Sequence, residues 1–313
     1  MSHSLLIILP CFNEEPILEY TMNKMNKLIN QMIDNKLINS NSNLLFIDDG
    51  SSDKTWDLIT KASSVNSNKG IKLSKNFGHQ NAILSGLLSN INKYDLYITI
   101  DADLQDDIEI IPEMIESYLK GNEIVYGVRK ERENDTFFKR KTAEIFYSIQ
   151  KKLGIDIVYN HADFRLISNR TLIELEKFKE VNLFLRAIFP LIGFKSSTVY
   201  YNRKERTAGV SKYPFMKMIA FASDGITSFS IKPLRMVLFI GFIIFMLSVC
   251  ISIWILYGTI IEGKTVPGWA STVLPIYFIG GVQLFSIGII GEYIGKIYNE
   301  TKARPRFIIE DSV

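Results

Sequence analysis

The sequence predicts an α/β domain built on a mostly parallel sheet, followed by a two-helix membrane hairpin. Three observations lead there. Short apolar strand patterns alternate with amphipathic helical patterns over the first two thirds of the chain, acidic residues follow several of those strands, and two long uncharged apolar runs appear after residue 233. Alternation of this kind implies parallel strands with helices on both faces of the sheet. Ligands bind such sheets beyond the carboxyl ends of the strands, so the polar residues there are the candidates for chemistry.

The expected strands are Leu5–Leu9, Leu44–Asp48, Ile71–Ser74, Leu96–Asp101 and Ile124–Val128. Leu5–Leu9 is too short for the core of a signal peptide and has no basic segment before it, so it reads as a strand. Between the strands lie helical patterns at about Ile17–Met32, Lys54–Val65, Gln80–Leu88 and Pro112–Leu119. The segments Val181–Phe194 and Tyr213–Phe229 combine large apolar residues with sparse charges such as Arg186, Lys217 and Asp224. They read either as helices in a membrane interface or as helices packed on the catalytic core.

The apolar runs Met236–Tyr257 and Trp269–Ile290 are each about 22 residues long, enough to cross a hydrocarbon core of about 30 Å. Trp254, Tyr257 and Trp269 sit near their ends as interfacial aromatics. Lys232 and Arg235 precede the first run, and Lys296, Lys302, Arg304 and Arg306 follow the second; the link between them offers only Lys264 beside Glu262. The positive-inside rule then puts both outer ends, and the N-terminal domain with them, on the cytoplasmic side. The expected division is a catalytic domain over 1–212, an interfacial segment over 213–232 and a hairpin with a cytoplasmic tail over 233–313, in a multi-pass protein of the inner (cytoplasmic) membrane.

Composition narrows the partners. Lysine and arginine total 36 against 33 acidic residues in 313, a net charge of +3, and no field of that size marks a nucleic-acid binder. Cys11 and Cys250 lie far apart, which argues against a disulfide framework and fits a reducing compartment. No Gly-x-Gly-x-x-Gly follows the first strand, which argues against a nicotinamide oxidoreductase.

The strongest local signal is Asp101-Ala102-Asp103-Leu104-Gln105 at the end of a strand. Two carboxylates so spaced can share a divalent cation with a diphosphate, and hard oxygen ligands suit Mg²⁺ or Mn²⁺. Alone, such a pair is more often a turn or a cap. A second acidic strand end is Asp48-Asp49-Gly50-Ser51, where Asp48 suits a hydrogen bond to a base or ribose and Asp53 reads as a helix cap. The third is Pro10-Cys11-Phe12-Asn13-Glu14-Glu15, where Phe12 can line a base pocket and Glu14 can accept a hydrogen bond. Arg206 and Lys212 flank Gly209, whose freedom to turn can bring both onto one anion. His79 and His161 show no metal-ligand spacing and read as local hydrogen-bonding residues.

Taken in order, Pro10–Glu15, Asp48–Ser51, Asn76-Phe77-Gly78, Asp101–Gln105 and Asp163-Phe164-Arg165 resemble family 2 glycosyltransferases of the GT-A fold. Arg206-Thr207-Ala208-Gly209-Val210-Ser211-Lys212-Tyr213 and the C-terminal Gly291-Glu292-Tyr293-Ile294-Gly295 are similar to the polyprenyl-phosphate branch, which includes bactoprenol glucosyltransferases and dolichol-phosphate mannose synthase. The resemblance implies that Pro10, Phe12, Glu14, Asp48 and Asp101 contact the nucleotide, and that Asp101, Asp103 and Gln105 hold the cation and diphosphate. It also implies that Arg129, Arg140, Arg206, Ser211 and Lys212 gather around the phosphates, and that Asp163, Asp103 and Arg206 are the catalytic set, with Asp163 the first to name if a base is required. Ala162 replaces the family's usual Gly before Asp-Phe-Arg, and Asp107 replaces its usual Pro.

The expected reaction is inverting transfer of a hexose, glucose from UDP-glucose, to undecaprenyl phosphate, giving a lipid-linked sugar for cell-surface glycan modification. The partners are then a nucleotide-sugar donor, a polyprenyl phosphate and the membrane; a homo-oligomer is compatible with this. The alternatives are a transferase with a different nucleotide sugar or lipid acceptor, and an inactive membrane scaffold of a glycan-transfer complex. A scaffold is expected to lose site residues, and this chain keeps the set.

Overall fold

The structure, a computed structural model, describes residues 2–65, 68–130, 161–181, 184–202 and 269–313, with isolated positions between 234 and 257. The chain divides into two units. One comprises Met1–Lys152, Asp156–Pro214 and Ala303–Val313, the other Leu153–Ile155 and Phe215–Lys302.

The first unit is organised around Leu5–Cys11 (β1), all seven residues of which are buried. Burial on both faces is what a continuous apolar run, rather than an alternating one, encodes in a central parallel strand. Asn43–Asp48 (β2) and Leu96–Thr99 (β4) pair parallel to it on either side, and Lys69–Leu73 (β3) continues the sheet beyond β2. Ile124–Arg129 (β5), His161–Ser168 (β6) and Ser196–Tyr201 (β7) complete the other half, and Ile309–Ser312 (β8) closes the far edge in the order β7-β5-β6-β4-β1-β2-β3-β8. Strands β6 and β8 run antiparallel to their neighbours. The start of β6, not its end, therefore lies at the edge where β1, β2 and β4 finish. The chain order reverses between β1 and β4, so the switch-point crevice opens beside the ends of those two strands.

Glu15–Asp34 (α1), Thr55–Val65 (α2) and Ile111–Leu119 (α4) cover one face; Met22, Met25, Leu28, Ile59, Met114 and Ile115 join a single cluster with Leu5, Ile7, Phe46 and Ile98. Each such side chain contributes about 1.5–3 kcal/mol through burial. His79–Leu88 (α3), Asn169–Glu176 (α5) and Leu185–Ile192 (α6) are the remaining helices of this unit among the described residues. On the opposite face α3 lies so close that a Cβ on Gly86 would come within 2.7 Å of Ile8. Helix α6 buries Leu185, Ala187, Ile188 and Phe189, so Val181–Phe194 takes the core-packing alternative over this stretch. Gly193 ends the helix in the left-handed conformation at φ 74°.

The strands differ from their expected limits mainly at the site edge. The strand expected to reach Asp101 ends at Thr99, which frees Asp101 to turn away from the ladder. Strands β6, β7 and β8 and helix α5 were not expected. β8 is instructive because the segment after residue 302 was expected only as a cytoplasmic tail, yet Ile71 pairs with Ser312, Lys72 with Asp311, and Lys72 Nζ lies 3.2 Å from Glu310.

In the second unit Trp269–Lys302 (α7) is one helix, with Leu284, Phe285, Ile287, Ile294 and Ile297 exposed. Among the described residues no helix is long and apolar enough to cross a membrane. The expected first span, about 236–257, is described only at isolated positions, and several side chains at the start of the expected second span, about 269–290, are outside the described set. The interfacial segment 213–232 and the residues Arg140, Arg206, Ser211 and Lys212 also lie outside it.

Candidate active site

The loops after β1 and β2 are tied to each other. Asn13 N donates to Ser51 Oγ at 2.9 Å, Ser52 N donates to Asn13 Oδ1 at 2.8 Å, and Glu14 N donates to Thr55 Oγ1 at 3.0 Å. Asp53 accepts from the Thr55 N–H at 3.0 Å and from the Glu15 N–H at 3.2 Å, which makes it a local cap as expected. Gly50 sits at φ 68°, and a Cβ there would lie 2.5 Å from Lys75 C and 2.6 Å from Asn76 N. Gly121 also has positive φ, at 91°, but only Lys195 Nζ comes within 4 Å of its Cβ position. Gly50→Ala is therefore expected to destabilise the domain by about 1–3 kcal/mol and weaken nucleotide affinity, whereas Gly121→Ala carries the backbone strain alone. Thermal unfolding and nucleotide titration of both variants check this; equal effects at the two positions would remove the steric argument.

Asp48 is fully buried, with Oδ1 accepting from Ser51 N at 3.2 Å and Oδ2 without a hydrogen-bond partner among the described residues. Burial pushes its pKa up, against the hydrogen bonds from Ser51. Phe12, 41% exposed, follows Cys11, the last residue of β1 and the register partner of Asp48. Asp49, which the sequence reading passed over, accepts from Phe77 N at 2.7 Å and Gly78 N at 3.0 Å. It thereby holds the loop that delivers His79 to the first turn of α3.

After β4, Thr21 Oγ1 donates to Ala102 O at 2.7 Å, and Asp103 Oδ1 accepts from Gln105 N at 3.2 Å. Leu104 between them is held at φ 49°, an unfavourable conformation for a large side chain. Asp101 Oδ1 is buried without a hydrogen-bond partner among the described residues, although His79 Nε2 lies 3.4 Å away. Burial raises the Asp101 pKa against the pull of His79.

Asp106 anchors the far side of this turn. It is 2% exposed and accepts from Arg129 Nη2 at 3.0 Å and from Tyr201 Oη at 2.7 Å. Arg129, expected to serve the phosphates, also pairs with this buried carboxylate and so helps hold the turn. Asp107 has φ −78°, close to what the family's usual proline imposes, and Ala162 lies within β6.

At the start of β6, Asp163 is 6% exposed and surrounded by cations. It accepts from Arg165 Nη2 and from Arg186 Nε at 3.2 Å and Nη2 at 2.9 Å, and His79 Nε2 lies 3.5 Å from Oδ2. Burial alone would raise its pKa; Arg186, the His79 hydrogen bond and Arg165 outweigh burial and hold it well below the usual carboxylate range. Burial likewise opposes the charge on His79, but Asp101 and Asp163 together lift its pKa to about 9. Arg165 is 1% exposed with its guanidinium 4.8 Å from the Phe189 ring centroid, and its Nε and Nη1 have no hydrogen-bond partner among the described residues.

The fold thus brings Phe12, Asp48, Asp101, Asp103 and Asp163 to one sheet edge and adds His79, Asp49 and Arg186. His79 corrects its expected local role, because it touches two of the acidic strand ends. The signals were present in sequence: His79 follows a strand-end Gly turn, and Arg186 is the one cation in an otherwise apolar helix. His161, also expected to act locally, makes an edge contact with Tyr126 at a centroid distance of 5.4 Å.

A switch-point crevice lined by strand-end carboxylates fits a nucleotide-sugar transferase, and residues 6–176 match the family described as Glycosyl transferase family 2. The chain belongs to that family and is a glycosyltransferase. Residues 232–297 match a second family, described as the GtrB C-terminal hairpin. Among relatives, the chain is 51% identical to the uncharacterized glycosyltransferase YkoT of Bacillus subtilis (strain 168), over 98% of this chain and 91% of that one. It is 39% identical to the bactoprenol glucosyl transferase of Shigella phage SfX, over 97% of this chain and 98% of that one. It is 38% identical to the prophage bactoprenol glucosyl transferase homolog of Escherichia coli (strain K12), over 97% of each.

Proposed function

We propose that the protein transfers glucose from UDP-glucose to undecaprenyl phosphate at the cytoplasmic membrane face, with inversion at the anomeric carbon. The observation that carries this is the full-length similarity to bactoprenol glucosyl transferases, which includes the C-terminal hairpin as well as the catalytic domain. Two membrane spans over about 236–257 and 269–290 are part of the proposal, supported by their lack of charge and by the exposed apolar side chains of α7.

In this reading Phe12 faces the base, the unpartnered Asp48 Oδ2 accepts a base or ribose hydrogen bond, and Glu14 assists. Asp101, Asp103 and Gln105 would hold Mg²⁺ or Mn²⁺ with the diphosphate; Asp101 Oδ1, buried and without a hydrogen bond among the described residues but 3.4 Å from His79 Nε2, is the kind of hard oxygen such an ion takes. Among the described residues no three acidic, His or Cys side chains could enclose an ion, which fits one bound largely by substrate phosphates. When bound, the cation supplies charge neutralisation that makes the nucleoside diphosphate a good leaving group. Arg140, Arg206, Ser211 and Lys212 are assigned to the phosphates of donor and acceptor.

The test is whether purified protein with Mg²⁺ and UDP-glucose releases UDP only when undecaprenyl phosphate is added. Release that is indifferent to the lipid, or seen only with another nucleotide sugar, would reject the assignment of acceptor or donor respectively.

A further inference from the structure

We propose, resting on the reading above, that the segment Ala303–Val313 is a clasp that backs the nucleotide turn, so that affinity for the donor depends on residues outside the site. Its second half, β8, holds the strand that leads into the donor loop. Its first half, through Arg306, holds the segment that leads into α6.

The sequence returns the chain to the sheet after the hairpin. Helix α7 stops at Lys302, Ala303 takes the left-handed conformation at φ 45°, and Pro305 cannot continue the helix. Arg306 Nη1 then donates to Phe178 O at 2.9 Å. Ile308 O accepts from Ser74 N at 3.0 Å, and at the far end Gly70 and Val313 exchange two bonds, Gly70 N to Val313 O at 2.8 Å and Val313 N to Gly70 O at 3.0 Å.

What β8 supplies is backbone pairing and not burial. All four of its residues are exposed, so little apolar area leaves water and the stability gained that way is small. The pairing closes the edge of β3, whose N–H and C=O groups would otherwise face solvent. Its main effect is therefore on where β3 and the loop after it are held.

From β3 the support reaches the site in two steps. Ser74, pinned by Ile308, is followed by Lys75 and Asn76, which lie so close to the Gly50 turn that a Cβ on Gly50 would come within 2.5 Å of Lys75 C. Phe77 and Gly78 then donate their N–H groups to Asp49 at 2.7 and 3.0 Å. The turn assigned to base and ribose, Asp48–Ser51, thus has as its outer wall the loop that β8 fixes.

Arg306 acts on the other flank. Phe178 lies on the segment entering α6, and Leu185, the first residue of α6, donates its N–H to Gln80 Oε1 at 3.1 Å, beside His79 at the start of α3. Both arms converge on residues 74–80. Asp101 and Asp103 instead follow β4, on the other side of β1 from β2 and β3, and Asp163 keeps Arg165 and Arg186 as partners without the tail. Loosening the clasp therefore weakens nucleotide binding and spares the catalytic step.

The experiment uses the full chain in liposomes, compared with a protein lacking Ile308–Val313 and with Arg306→Ala, which keeps β8 and frees its approach. Removing Ile308–Val313 is expected to raise the KM for UDP-glucose about 5- to 30-fold, the contribution of one or two hydrogen bonds, with kcat and the KM for undecaprenyl phosphate within about twofold of wild type. Arg306→Ala should raise the donor KM by about three- to fivefold. Hydrogen exchange over residues 74–80 should quicken by about tenfold or more in the truncated protein, with α4 unchanged.

An unchanged donor KM in both variants would overturn the proposal. So would a donor KM that holds while kcat falls together with the unfolding temperature, which makes β8 a stabilising edge strand only. A rise confined to the KM for undecaprenyl phosphate also rejects it, by assigning the tail to the lipid. If the truncated protein does not fold, Arg306→Ala decides alone, and an unchanged donor KM there rejects the clasp. If wild-type protein moves no glucose, the functional reading fails and the clasp is judged by exchange: protection of residues 74–80 that survives removal of Ile308–Val313 contradicts it, whatever the donor.

Discussion

Asp103→Ala is expected to reduce transfer by about a thousandfold or more while the domain stays folded. In the proposed reading the carboxylate contributes to a cation and diphosphate site at the end of β4, where several kcal/mol of charge stabilisation are at stake and each 1.36 kcal/mol is about tenfold in rate. Its structural part is small by comparison. Asp103 accepts the Gln105 N–H at 3.2 Å, one hydrogen bond of about 1 kcal/mol in a turn that Thr21 separately pins through Ala102 O. Turnover measured at saturating Mg²⁺, beside a thermal unfolding curve, separates the two. Near-normal turnover with an unchanged metal dependence removes Asp103 from the cation site, and a collapse in unfolding temperature makes its role structural.

The largest stability effect is expected from Arg129→Ala. Asp106 is 2% exposed, and Arg129 is the cation that compensates it, with Tyr201 as second donor. Removing one member of a buried ion pair typically costs about 3–5 kcal/mol, and the lower end applies because Arg129 is itself 25% exposed. For a domain of this size that lowers the unfolding midpoint by about 6–12 °C. Adding Asp106→Asn should recover most of the loss, because the uncompensated charge disappears with it. If Arg129→Ala alone is harmless to stability but weakens substrate binding, the residue belongs to the phosphates after all.

Much of this was legible in sequence where local pattern and tertiary environment agree. Leu5–Leu9 and Leu44–Asp48 are central strands buried on both faces, and a continuous apolar run has few other readings. The polar residues that follow them fell at the expected edge for the same reason. The antiparallel strand β6 was not legible, because His161, Asp163 and Arg165 alternate with Phe164 and Leu166 in a way that is polar toward the site and apolar toward the core. A polar face on a buried strand makes sense only once its charges are seen to pair. The partners of Arg129 and Arg186 were not legible for a related reason. Each is a cation whose partner is a buried acid at least 23 positions away in sequence, and spacing cannot reveal a long-range pair. β8 escaped because its pairing depends on the chain returning to β3, more than 230 residues earlier.

The central claim is transfer of a single sugar onto a lipid phosphate oxygen. Its most direct test is mass analysis of the lipid product formed by the full chain in liposomes containing undecaprenyl phosphate, supplied with UDP-glucose and Mg²⁺. The account predicts undecaprenyl phosphate carrying one hexose as a phosphodiester, formed in step with UDP. A lipid diphosphate sugar accompanied by UMP, a lipid bearing a chain of sugars, or glucose found only on a non-lipid acceptor would contradict it.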